Sequence, residues 1–208
     1  MIIGYLNLPN FVTFLSMALS VMAGYFALND LFPLAIDLML IVVILDAVDG
    51  YLARKMNRDK SESVRQYGHF LDNGADLINY SLAPILLGVA VGNGYLVDWI
   101  IYVFFTLCLA SRLAYFSVVG THEKGGGKYF MGLPSTYASV FLPIGITAGD
   151  LLSPVAMFYI VRLMFILLGV LFILKIPVKD IRSTKIPLVV IGGIIGPASG
   201  IYWLLKLF

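Results

Sequence analysis

Four aspartates within a 31-residue stretch, Asp46, Asp49, Asp72 and Asp76, are the groups in this chain best suited to chemistry. Asp46, Asp49, Gly50 and Ala53 recur at i, i+3, i+4 and i+7, and Gly68, Asp72 and Asp76 at i, i+4 and i+8. Each set therefore lines one face of a helix. If the two helices are neighbours, four carboxylates converge on one pocket, and Gly50 and Gly68 leave room beside them for a ligand. Scattered acids usually mark a solvated surface. Asp46, however, directly follows the run LMLIVVIL, and an ionisable group at that depth is costly unless it is paired, metal-bound or facing water. Hard carboxylate oxygens favour Mg²⁺ or Mn²⁺ over softer metals. Two such ions, roughly 3.5–4 Å apart, can clamp a diphosphate and stabilise both the attacking and the leaving oxygen. A carboxylate cluster at a lipid–water boundary suits a substrate with an apolar tail and a diphosphate head.

The elements that must position these groups are membrane-spanning helices. Of 208 residues, 60% are hydrophobic and 12% charged, with mean hydropathy +0.94, which describes a multi-span membrane protein rather than a soluble domain. Hydropathy and breakers predict spans over 11–28, 31–50 with the helix continuing to about Met56, 68–91, 97–119, 132–149 and 154–174. Pro154 is placed for a first helical turn. A seventh apolar stretch, 186–208, carries Gly192, Gly196 and Gly200 at a spacing suited to close helix packing, with a kink expected at Pro197. The expected fold is one all-α membrane domain over 1–208. The first basic residue is Arg54, so no positive n-region precedes the apolar start and the N-terminal segment is expected to be retained.

Orientation follows from the cations. The connection after span two carries Arg54, Lys55, Arg58, Lys60 and Arg65; that after span four, Lys124 and Lys128; that after span six, Lys175, Lys179, Arg182 and Lys185. These eleven of the 14 basic residues all fall on one side, and the connections around Asn29, Gly92 and Asp150 carry none, so the acidic pocket is expected to face the cytoplasm of a multi-pass cell-membrane protein.

The order Asp46-x2-Asp49-Gly50-x2-Ala53-Arg54, then Gly68-x3-Asp72-x3-Asp76, resembles the signature of the CDP-alcohol phosphotransferases, membrane enzymes of phospholipid synthesis. The thirteen residues from Lys55 to Tyr67 exceed the family's usual spacing and read as a lengthened polar turn. The resemblance covers the first six spans; the seventh rests on hydropathy alone. It implies a CDP-linked lipid donor, CDP-diacylglycerol or CDP-archaeol, whose lipid-side phosphorus is attacked by a hydroxyl with loss of CMP. It further implies Asp46, Asp49 and Asp72 as main metal ligands, with Asp76 both approaching the metal and serving as general base. Gly50 and Ala53 would make space for the cytidine, Arg54 would pair a phosphate oxygen, and Gly68 would complete the donor site. A homodimer is common in this family, and the C-terminal glycines offer one face for it; packing within the protomer explains them equally.

Two further stretches, LDNGADLINYSLAP from Leu71 to Pro84 and KYFMGLPSTYAS from Lys128 to Ser139, together with ILKIPV, are similar to the phosphatidylserine synthase branch. They favour L-serine as acceptor; glycerol 3-phosphate or an inositol phosphate would use the same metal chemistry. Arg112, seven residues from the end of its span, is expected at ~10 Å depth, near the pocket, where it would hold a serine carboxylate or neutralise the acids. Lys128 is a second candidate for the acceptor, although positive-inside placement alone accounts for it. Asp37 and Arg162 lie at comparable depths from the opposite face and are expected to form a structural ion pair.

Other signals carry less. Gly125-Gly126-Gly127-Lys128 lacks the first glycine of a P-loop and is followed by Tyr129. His69 sits at a different helical angle from Asp72, His122 has no matched ligand, Cys108 is alone, and no basic stripe suggests nucleic acid. An ion or solute transporter would also use intramembrane carboxylates, but the acids cluster at one face with no matching half-site at the other. A non-catalytic scaffold would need no such cluster.

Overall fold

The computed structural model describes residues 4–56, 60–120, 122–124, 127–179 and 205, with 122–124, 127–130 and 179 described by their backbone. Asn7 opens α1 (Leu8–Leu28) by accepting the Asn10 N–H at 3.0 Å, and Pro9 occupies the first turn, where its missing N–H costs nothing. The helix turns inward a stripe of small and polar side chains, Thr13, Ser16, Ser20, Ala23, Gly24 and Ala27, and leaves Phe11, Phe14, Val21 and Met22 outside. That pattern inverts a soluble helix. Where lipid surrounds the protein, burying one leucine on another gains little, so helices are held by close packing and by hydrogen bonds between them. The small face lets α1 lie along α2 (Phe32–Met56), the 25-residue helix that carries the first two aspartates.

α3 (Glu62–Leu77) continues without a break through a single π turn, Ile78–Leu82, into α4 (Ala83–Ala90). Pro84 explains the wide turn. It has no N–H to offer the Tyr80 carbonyl four residues back, and its ring would crowd that carbonyl in an α-helix. Instead the Ala83 N–H donates to the carbonyl of Ile78, five residues back. Asn79, fully buried within this turn, is held on three sides. Its amide donates to Ser16 Oγ at 3.1 Å, its side-chain oxygen accepts from Ser20 Oγ at 2.6 Å, and its carbonyl accepts from Ser139 Oγ at 3.2 Å.

α5 (Leu96–Val119), α6 (Tyr137–Leu152) and α7 (Pro154–Ile173) complete the bundle, with Ser153 capping α7 through the Ala156 N–H at 3.0 Å. Tyr102, Phe105 and Phe165 interlock edge-on at centroid distances of 4.8 and 5.0 Å where α5 meets α7, the arrangement favoured by the ring quadrupole. Three short strands, β1 (His122–Lys124), β2 (Gly127–Met131) and β3 (Pro177–Lys179), form an antiparallel sheet in that order. Phe130 faces Val178 across the ladder, which ties the α5–α6 connection to the chain that follows α7. Gly132 just after β2 has φ +82°, and a Cβ there would lie 2.5 Å from the Phe172 carbonyl oxygen, so no other residue fits.

Helices α1, α5 and α7 are long and apolar enough to cross a membrane, and α6 is a shorter apolar helix. The predominantly helical membrane architecture agrees with expectation; the small sheet was not foreseen. The predicted polar turn from Lys55 to Tyr67 is shorter than supposed, because Glu62 to Tyr67 are already the first turns of α3. α6 begins at Tyr137 rather than at Gly132, which is part of the turn out of the sheet. The expected Asp37–Arg162 pair does not form. Arg162 instead donates to both carboxylate oxygens of Asp98, at 2.5 and 3.1 Å, because α7 packs on α5 and α6 rather than on α2. The C-terminal stretch 186–208, with Gly192, Pro197, Gly196 and Gly200, lies outside the described residues apart from Leu205.

Candidate functional site

The end of α2 and the middle of α3 bring Asp46, Asp49 and Asp72 together, with one carboxylate oxygen from each lying within 4.8 Å of the others. Asp49 is 3% exposed, and Asp46 and Asp72 are half-buried. Three anions at this spacing repel one another and are poorly solvated, so the arrangement is unfavourable without a cation. Asp49 shows how the site is prepared. Its Oδ2 accepts a 2.6 Å hydrogen bond from the Thr13 hydroxyl of α1, while its Oδ1 is buried without a hydrogen-bond partner. A buried carboxylate oxygen is seldom left so unless something else coordinates it, and a hard divalent cation held among three carboxylates would supply that partner.

Beside the cluster opens a cavity of about 330 Å³. α2 contributes Asp49, Gly50, Ala53 and Arg54; α3 contributes Arg65, Gly68, His69 and Asp72; α1 contributes Pro9, Asn10 and Thr13. Gly50 presents an open face, since a Cβ there would meet only Arg54 Nη1 at 3.5 Å. All of the sequence-predicted donor residues except Asp46 thus line one cavity, and Asp46 adjoins it through the carboxylate cluster. His69 lines the cavity but belongs to no cluster of metal-binding side chains among the described residues.

Asp76 lies one turn along α3 from Asp72, outside the three-carboxylate group. It accepts from Ser135 Oγ at 3.2 Å and is near enough to Asp46, Asp72 and Arg112 for their charges to act on it. Arg112, 7% exposed, donates from Nε to the Leu133 carbonyl at 2.5 Å, which fixes α5 to the turn before α6. It also lines a second cavity of about 220 Å³, whose other polar walls are Ser111, Tyr115 and Lys175 at the ends of α5 and α7. Lys128 falls in β2 opposite Glu123; its side chain lies outside the described atoms.

Sequence patterning missed Thr13, Ser135 and Arg65. Thr13 was nonetheless visible, because Asn10 and Thr13 place two polar side chains three residues apart on an otherwise apolar helix. At the mouth of the cavity, Arg65 pairs with Glu62 one turn earlier and, through that hydrogen bond and charge, holds the Glu62 carboxyl below its ordinary range.

Comparison with known proteins gives the same direction. The chain is 30% identical over 141 residues to the archaetidylserine synthase of Methanothermobacter thermautotrophicus, covering 67% of this chain and 57% of that relative. It is 29% identical over 145 residues to the CDP-diacylglycerol–serine O-phosphatidyltransferase of Mycobacterium tuberculosis, covering 68% and 49%. It is 30% identical over 172 residues to the phosphatidylcholine synthase of Borreliella burgdorferi, covering 80% and 69%. The chain thus spans about half the length of the first two. The sequence profile of the CDP-alcohol phosphatidyltransferases matches residues 6–199, almost from end to end, and the chain belongs to that family.

Proposed function

We propose that this protein transfers a phosphatidyl- or archaetidyl-type group from a CDP-activated lipid to the hydroxyl of L-serine, releasing CMP. The observation that carries the reading is the trio Asp46, Asp49 and Asp72, with a buried Asp49 oxygen that lacks a hydrogen-bond partner, beside a cavity walled by Gly50, Ala53 and Arg54. Asp46, Asp49, Asp72 and, from the adjoining turn, Asp76 would hold Mg²⁺ or Mn²⁺, two ions in all. Bound there, the metal supplies charge neutralisation for the diphosphate and lowers the pKa of an acceptor hydroxyl.

The protein's own side chains do the rest. Arg54 pairs a phosphate oxygen, and the open face of Gly50 and Ala53 admits the cytidine. Asp76 takes the serine hydroxyl proton as the serine oxygen bonds to the lipid-side phosphorus. The bond from that phosphorus to the bridging oxygen breaks, and CMP carries the electron pair away. Ser135 orients the Asp76 carboxylate through their hydrogen bond.

Serine is favoured because two of the relatives compared above are named for serine, and because Arg112, whose charge acts on Asp76, lines with Lys175 a cavity where a carboxylate would be received. A phosphorylated acceptor such as glycerol 3-phosphate or an inositol phosphate would meet the same cations. The whole chain acts as one membrane domain, in homodimers, with the site on the cytoplasmic face of the cell membrane. The distribution of Lys and Arg supports that orientation.

The test is CMP release by purified protein with CDP-lipid and Mg²⁺, supplying serine, glycerol 3-phosphate and inositol phosphate in turn. Serine-dependent release is expected. Release with another alcohol would replace the acceptor, and no release with any would return the intramembrane carboxylates to a transport path.

A further inference from the structure

Between Arg54 and Gly68, the first turns of α3 place a further cation on the donor cavity. α3 starts at Glu62, so Arg65, Gly68, His69 and Asp72 follow at three- and four-residue intervals along one helix face, and all four line the cavity. Arg65 stands seven residues before Asp72, which is about 10 Å further out along the helix axis. The reacting phosphorus belongs beside the aspartates; the part of a CDP-lipid that extends outward from it, away from the membrane, is the nucleotide.

Arg65 is half-exposed and is held by Glu62, which also accepts from Gln66 Nε2 at 3.1 Å. Glu62 does not line the cavity. The guanidinium therefore stands between a carboxylate outside the cavity and whatever oxygen acceptor enters it. An exposed ion pair of this kind contributes little to stability, so exchanging Glu62 for a bound ligand costs little. We propose that Arg65 is a further substrate-binding residue: it hydrogen-bonds the nucleotide half of the donor, and Glu62 is the partner it leaves when the donor binds. This rests on the CDP-lipid reading above.

The two members of the pair give opposite signs. In detergent-solubilised full-length protein with Mg²⁺, R65Q weakens CMP binding by calorimetry about tenfold. It raises the donor KM in parallel while the serine KM stays in place, and R65K recovers part of the loss. E62Q releases the guanidinium and tightens CMP binding by about twofold. A purely structural pair would instead make R65Q and E62Q alike, lowering thermal stability together. Equal CMP affinity in R65Q and wild type, or a change confined to the serine KM, would overturn the assignment. Failure of the wild type to turn over any CDP-lipid would instead count against the proposed reaction, and CMP binding would still report on Arg65.

Discussion

Two clusters of buried charge among the described residues, one near each end of the bundle, are built in opposite ways. At one end, Asp98 accepts two hydrogen bonds from Arg162 and a third from its own helix start, the Tyr95 N–H at 3.0 Å. The guanidinium carbon sits 3.9 Å from the Phe158 ring centroid, and Tyr102, beside it, donates to the Asn93 carbonyl at 2.7 Å. The Asp98 and Arg162 charges are paired there within the protein, although the Asn93 side-chain oxygen is buried without a hydrogen-bond partner. At the other end, three carboxylates crowd within 4.8 Å, and one buried oxygen has no hydrogen-bond partner. Burial of charge alone therefore does not mark a functional site. What distinguishes the second cluster is its excess of one sign, which the fold maintains at a cost in stability and which a cation would relieve.

The comparison breaks most directly at the acids. Asp72→Asn should lower CMP release by roughly a thousandfold while leaving the melting temperature of metal-free protein unchanged or higher, since a repulsion is removed. Loss of activity together with loss of fold would mean that the trio is structural after all. Asp98→Ala should do the reverse. Leaving Arg162 buried without its carboxylate should cost about 3–5 kcal/mol of stability, read as a thermal melt in detergent. Reversal of both residues, Asp98→Arg with Arg162→Asp, should recover part of that loss.

Metal removal sharpens the contrast. Mg²⁺ at about 100 times its dissociation constant should stabilise the wild type by roughly 2.7 kcal/mol, a gain abolished by chelation and absent in Asp49→Asn. A variant of the Asp98 cluster that still folds should retain it. The smallest expected effect is that of Thr13→Val, which keeps the shape of the side chain and removes the hydroxyl donated to Asp49 Oδ2. It should weaken Mg²⁺ activation by about tenfold, as losses of partners to metal ligands do, with little change in maximal rate at saturating metal.

Much of this was legible in the chain. Pro154 marks a helix start, and Asp46, Asp49 and Asp72 do meet beside Gly50 and Gly68, while Asp76, expected with them, stays outside the trio. The spacing carried that information because an α-helix converts sequence interval directly into direction. What hydropathy could not supply is which helices are neighbours. Depth alone pointed to Asp37 as the partner of Arg162, and only the packing of α7 on α5 decides for Asp98. The link from Thr13 to Asp49 is hidden for the same reason, since it joins residues 36 positions apart on different helices. The π turn was missed because a proline in a long apolar segment permits a break, a kink or a widened turn, and local sequence does not choose among them.

That widened turn also sets a phase. One extra residue in a helix advances everything beyond it by about 100°, so Ile78–Leu82 works as an angular offset between two lengths of one rod. Upstream, the rod points Asp72 at the carboxylate cluster; downstream, it buries Ile85, Leu87 and Gly88 in the bundle. Without the offset, aligning one length would turn the other away, and the same rod could not serve both the acidic end and the packed end of the protein.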